Sequence, residues 1–161
     1  ATPADKVVEM LNTYFEVMVK EIIDQNGYID KFIGDAIMAV FRGEYHLDRA
    51  IDAALAVRQQ INQFPESRQT GGYKPKVSIG IKSGEMISGN IGSSSLKRLD
   101  FTVVGDVVNI AARLQSAAEE NQILISEDNY KQVKEAFKCK KIGEISLKNK
   151  ANTLTVYEVL E

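Results

Sequence analysis

The stretch YIDKFIGDAIMAVF, residues 28–41, decides the fold class. Residues 28–33 and 36–41 read as two strands, with Gly34-Asp35 between them. A two-residue Gly-Asp turn is a strong hairpin signal. Before it, Thr2-Pro3 and Asp5 read as a helix start, with an N-cap, a proline at the first helical position and an acid in the first turn. Val7, Leu11, Tyr14, Phe15, Met18, Ile22 and Ile23 recur at helical spacing, and Gly27 stops the run. The spacing therefore predicts a helix over 3–26. A compact α+β domain seldom opens on a helix, so a strand is expected before residue 1.

Downstream, Leu47, Ile51, Ala54, Leu55, Val57 and Ile61 form the apolar side of a helix over 47–64. Residues 65–75 are a polar Gly/Pro loop. Strands are expected over 76–82 and 85–91, with Gly84 at the turn between them. Residues 92–100 read as a loop and 101–104 as a short strand. Gly105-Asp106 then leads into a helix ending near 119. A strand over 123–126, a helix over 128–137 and strands over 140–147 and 153–160 complete the chain. No repeat, low-complexity run or linker divides residues 1–161, which read as a single domain. Alternating helices and strands with antiparallel hairpins argue for an α+β fold, its helices packed on a mainly antiparallel sheet.

Composition narrows the function classes. The 161 residues are 44% apolar and 26% charged, with net charge −2. That balance gives no electrostatic case for nucleic acid or a bilayer surface. No apolar run approaches the roughly 20 residues that span a membrane, and no signal-peptide pattern opens the chain. The lone Cys139 excludes an internal disulfide and fits a reducing, cytoplasmic setting.

Two segments could carry chemistry. In KFIGDA, residues 31–36, an acid at a tight turn projects a carboxylate at a sheet end. Asp35 there is either a good turn former or a ligand for Mg²⁺, which takes one or two carboxylates plus phosphate oxygens. Lys31 by itself is an ordinary strand lysine. In VVGDVVNIAARL, residues 103–114, Asn109 and Arg113 lie four apart and share a helix face, while Val107, Ile110 and Ala111 turn to the core. An amide beside a guanidinium can grip a sugar and a phosphate; it is also an ordinary polar helix face.

The chain resembles the class III adenylate and guanylate cyclase catalytic domain over nearly its whole length. The resemblance rests on DKFIGDAIMAVF (30–41), VSIGIKSGEMISGNIG (77–92), DFTVVGDVVNIAARL (100–114) and ISLKNKANTLTVYEV (145–159), in that order. It implies a ferredoxin-like α+β core and a head-to-tail homodimer with active sites at the interface. It further implies that Asp35 binds metal, with two Mg²⁺ or Mn²⁺ ions per site. Lys31 and Thr102 would select the base, Asn109 would orient the ribose, and Arg113 would stabilise charge on the α-phosphate. Lys148 would touch the terminal phosphates, although the family's Lys-Gly-Lys is Lys148-Asn149-Lys150 here.

Lysine with threonine resembles the adenylate type, whereas guanylate cyclases usually carry glutamate and cysteine. A lysine donor suits N1 of adenine, and threonine can accept from the 6-amino group. The expected reaction is therefore ATP to 3′,5′-cyclic AMP and pyrophosphate. The alternatives are a guanylate cyclase and a non-catalytic nucleotide-binding or regulatory module. The family's first metal aspartate lies in a Phe-x-Asp strand ahead of the opening helix. No such motif occurs here, and it is expected before Ala1.

Overall fold

The computed structural model describes residues 4–63, 76–84, 87–90, 101–104, 106–147 and 153–161, with backbone only over 4–7, 87–90 and 101–104. The helix start read at Thr2-Pro3, the loops read over 65–75 and 92–100, Gly105 and Lys148 lie outside the described residues. The described elements are α1 (Ala4–Asp24), β1 (Tyr28–Ile33), β2 (Ala36–Val40), α2 (His46–Asn62), β3 (Ile79–Ile81) and β4 (Ile87–Asn90). They continue with β5 (Phe101–Val104), α3 (Asp106–Ala117), β6 (Ile123–Ser126), α4 (Glu127–Val133), β7 (Cys139–Ser146) and β8 (Thr153–Val159). Every helix and strand predicted within residues 3–160 is present, with ends moved by a few residues.

The centre of the fold is β6. Its four residues, Ile123 to Ser126, are all buried, the mark of a strand covered on both faces. Successive side chains of a strand point to opposite faces, and β6 serves two clusters accordingly. Ile123 and Ile125 pack with Leu47, Ile51 and Ala54 of α2 and Val133 of α4. Leu124 packs with Leu114 of α3 and Val156 of β8. A third cluster joins α1 to α2 through Met10, Tyr14, Val57 and Ile61. The predicted apolar face of α2 lies wholly in these clusters. Of the face predicted for α1, Tyr14 and Met18 join the third cluster, Ile22 is buried, and Ile23 is 55% exposed.

Strand pairing differs from the expected series of hairpins. Among the described residues, β1 and β2 form one antiparallel ribbon and β4 and β5 another, beside a sheet of order β3-β6-β8-β7. The predicted β3–β4 hairpin at Gly84 does not form. Instead β3 runs parallel to β6, Ile79 opposite Ile123 and Ile81 opposite Ile125. The physical reason lies just after β3. Ser83 N donates to Asn129 Oδ1 at 2.8 Å, and Asn129 Nδ2 donates to Ser83 O at 3.2 Å. The fully buried Asn129 thus takes the backbone groups that a returning strand would otherwise satisfy.

Gly80 seats α3 on β3. A Cβ there would collide with Gln115 N and Ala111 O of the helix, so only glycine admits this close approach.

The neighbouring Asp128 yields a pH prediction. Its carboxylate accepts from Lys82 Nζ at 2.5 Å and from Ser126 Oγ. Burial pushes the Asp128 carboxyl up, but the Lys82 and Ser126 hydrogen bonds outweigh it and hold it below its ordinary value. Its contribution to stability is therefore complete above the unfolded value of about 3.9 and is lost as pH falls through the lower folded value. Asp128→Asn should flatten the acid limb of the melting-temperature profile below about pH 4. Superimposable acid limbs for wild type and variant would show that this ion pair carries no acid sensitivity. Among the described residues, no helix is long and apolar enough to cross a membrane.

Candidate functional site

The β1–β2 ribbon is held at its base and exposed at its tip. Arg49 of α2 donates from Nη1 to Gln25 O at 2.9 Å, ahead of β1. It also donates from Nε to Glu44 O at 3.1 Å and from Nη2 to Arg42 O, both beyond β2. One guanidinium thus ties both ends of the ribbon to the core, using donors in a fixed planar fork. At the tip, Ile33 pairs with Ala36, which leaves Gly34-Asp35 as the turn. Gly34 has φ 59°, a left-handed conformation that glycine adopts without a Cβ penalty. Asp35 is exposed there, as expected for a turn carboxylate.

Lys31 stands opposite Met38, with its side chain 51% exposed. The pairing skips Asp30: Ile29 meets Ala39 and Lys31 meets Met38, so the register shifts between them. Asp30 is the extra residue of a β-bulge. Its side chain is only 2% exposed, and Oδ2 lies 3.5 Å from Lys31 Nζ. That oxygen accepts no hydrogen bond; the lysine contact is an ion pair at a longer range. Nearby, burial pushes the Tyr28 hydroxyl up, and Asp30's charge adds to this against the opposing Arg42 guanidinium. Arg42 lies 5.2 Å over the Tyr28 ring.

On α3, Asn109 and Arg113 are both exposed, while Leu114 is fully buried. The buried leucine fixes the helix's rotation, so the Asn109–Arg113 face looks outward. Arg113 Nε donates to Ser146 O at 3.0 Å. This places its guanidinium at the end of β7, where the chain continues to Lys148. Thr102 lies on β5 opposite Gly89; its side chain is outside the described residues.

The structure thus gathers Lys31 and Asp35 on one ribbon, and Asn109 and Arg113 on one helix beside β7. Among the described residues, no hydrogen bond or ion pair links the two groups. All four side chains face solvent. The spacing of the motifs did not single out Asp30. The available signal was an acid directly before a lysine in an otherwise apolar strand, but alternation alone would put the two on opposite faces.

Among the described residues, no three His, Cys, Asp or Glu side chains gather as a metal cage. One exposed carboxylate completed by water and phosphate oxygens is nevertheless a donor set that Mg²⁺ accepts. Asp35 therefore fits the role of one protein ligand.

Residues 1–160 match the model of the adenylate and guanylate cyclase catalytic domain. An adenylate cyclase of Anabaena cylindrica is 35% identical over 164 residues, covering 96% of this chain and 32% of that protein. The chain therefore spans about a third of that relative's length. The structure of the adenylyl cyclase CyaB from P. aeruginosa superposes with a TM-score of 0.86 at 31% identity, covering 99% of this chain and 84% of that one. The guanylate cyclase domain of RhGC from Catenaria anguillulae, solved in complex with GTP, gives a TM-score of 0.82 at 26% identity, covering 99% and 86%. By sequence over nearly all its length and by fold, this chain belongs to the adenylate and guanylate cyclase catalytic domain family.

Proposed function

We propose that this domain converts ATP to 3′,5′-cyclic AMP and pyrophosphate, in the cytoplasm, at sites completed by a second identical subunit. Lys31 carries the reading. It is an exposed ammonium on the ribbon that bears Asp35, in a chain 35% identical to an adenylate cyclase. An ammonium suits the N1 acceptor of adenine and opposes the N1–H of guanine. A related domain solved with GTP shares the fold, so base choice falls to side chains rather than to architecture.

The reaction is intramolecular. The ribose 3′-oxygen forms a bond to the α-phosphorus, the bond to the bridging oxygen breaks, and pyrophosphate leaves. The 3′-hydroxyl proton passes to solvent. Lys31 donates to the base, and Thr102 accepts from its 6-amino group. Asn109 orients the ribose so that the 3′-oxygen lies in line with the leaving group, which converts binding energy into positioning. Arg113 donates to the α-phosphate oxygens as charge accumulates there. Lys148 meets the terminal phosphates. Asp35 holds Mg²⁺ or Mn²⁺, two ions being expected per site; when bound, the metal eases loss of the 3′-proton and neutralises phosphate charge. The exposure of Lys31, Asp35, Asn109 and Arg113 in one protomer supports a site closed by a partner surface.

The test is product analysis with the full-length protein, given ATP or GTP with Mg²⁺ or Mn²⁺. Cyclic AMP should dominate and should vanish with a chelator. Cyclic GTP-derived product in excess would assign the domain to the guanylate type, and no cyclic product would leave it a binding module.

A further inference from the structure

The bulge in β1 is the feature of the ribbon that the reaction above leaves unused. A regular strand would put neighbouring residues on opposite faces. Here Asp30 is the extra residue, skipped in the pairing with β2, and its carboxylate reaches the ammonium of the very next residue. The arrangement is unfavourable for folding. The Asp30 side chain is 2% exposed, and Oδ2 accepts no hydrogen bond. A buried carboxylate without full hydrogen bonding loses more in desolvation than a partly solvated partner returns. Lys31 needs no such partner for its own sake, since its side chain is 51% exposed. Stability therefore does not account for the pair. Bulges commonly re-aim a side chain beside a functional site.

We propose that Asp30 is a positioning residue for nucleobase recognition: from the bulge, its buried carboxylate fixes the direction of the Lys31 ammonium toward the adenine ring. The proposal rests on the reading of Lys31 as the base-selecting donor. A free lysine samples many rotamers, an entropy that base binding must overcome each time. Asp30 removes part of that freedom before the nucleotide arrives, the general route by which preorganisation raises affinity. The 3.5 Å separation is long for a hydrogen bond. It restrains the ammonium electrostatically and leaves its three donors available to a ligand.

The test uses the full-length enzyme and the isosteric Asp30→Asn. It should raise KM for ATP more than it lowers kcat, and reduce the ATP-over-GTP ratio of kcat/KM by roughly tenfold. Thermal stability should be unchanged or higher, because a buried charge is removed while Lys31 stays solvated. In a Lys31→Met background, the same substitution should leave the ratio within about twofold, since coupled residues are not additive. Asp30→Asn that melts several degrees lower, or fails to fold, would make the carboxylate structural and overturn the proposal. An equal loss of selectivity in both backgrounds would also overturn it, by showing that Asp30 does not act through Lys31. Selectivity lost in Lys31→Met but unmoved in Asp30→Asn would overturn the positioning role alone. A Lys31→Met enzyme with wild-type selectivity would overturn the base-recognition reading beneath it.

Discussion

Full-length Asp35→Ala and Arg113→Ala proteins, each nearly inactive alone, are expected to recover about a quarter of wild-type cyclic AMP production when mixed. The loss in each single variant should be large. Removing one transition-state donor costs roughly 10²–10³-fold in turnover, and Asp35 is the described carboxylate offered to the metal. Recovery follows from the shared-site reading. Asp35 is at the tip of the β1–β2 ribbon, whereas Arg113 is on α3 against Ser146 O. If one site draws Asp35 from one subunit and Arg113 from the other, a mixed dimer contains one doubly damaged site and one intact site. Random mixing makes half the dimers mixed, with one of two sites working. Misfolding offers no ready explanation for failure. Asp35 is exposed at a turn, and Arg113 contributes one exposed hydrogen bond to Ser146, worth about 1 kcal/mol. The readout is cyclic AMP formed per total subunit at fixed concentration. A mixture no more active than its components would mean that each site lies within one subunit.

The second large effect is on base choice. Lys31→Glu with Thr102→Cys should lower the rate with ATP and raise the GTP-to-ATP ratio of kcat/KM by roughly 10²–10⁴-fold, two mismatched groups at about 1–3 kcal/mol each. Glutamate accepts from the N1–H and 2-amino group of guanine, where the lysine opposed a donor with a donor. The bulge adds a condition that motif spacing does not reveal. In the double variant, Glu at position 31 would stand beside the buried Asp30 carboxylate, and two close carboxylates repel. Part of the gain with GTP should therefore be withheld until Asp30→Asn is added. Kinetics with both nucleotides for the double and triple variants measures this directly. A double variant that keeps the wild-type ATP preference would remove Lys31 and Thr102 from base selection.

The order and kind of elements were legible in the residues alone, because periodicity and turn chemistry are local. Gly34-Asp35 between two strands specifies a hairpin whatever surrounds it. The 3.6-residue spacing of Leu47, Ile51, Ala54 and Ile61 specifies a buried helix face, and the structure buries these residues. The candidate residues were equally legible as types at fixed spacings. Family motifs supplied the roles expected of them. Tertiary structure decided which strands meet. Residues 76–82 and 85–91 read locally as a hairpin, but β3 pairs in parallel with β6. Burial on both faces of β6 and the claim of Asn129 on the Ser83 backbone are settled only when distant segments pack. Tertiary structure also decided the setting of Lys31. A bulge is one residue of excess in one strand, defined by its partner's register and not by its own composition, so the burial of Asp30 against Lys31 could not be read from DKFIGD alone.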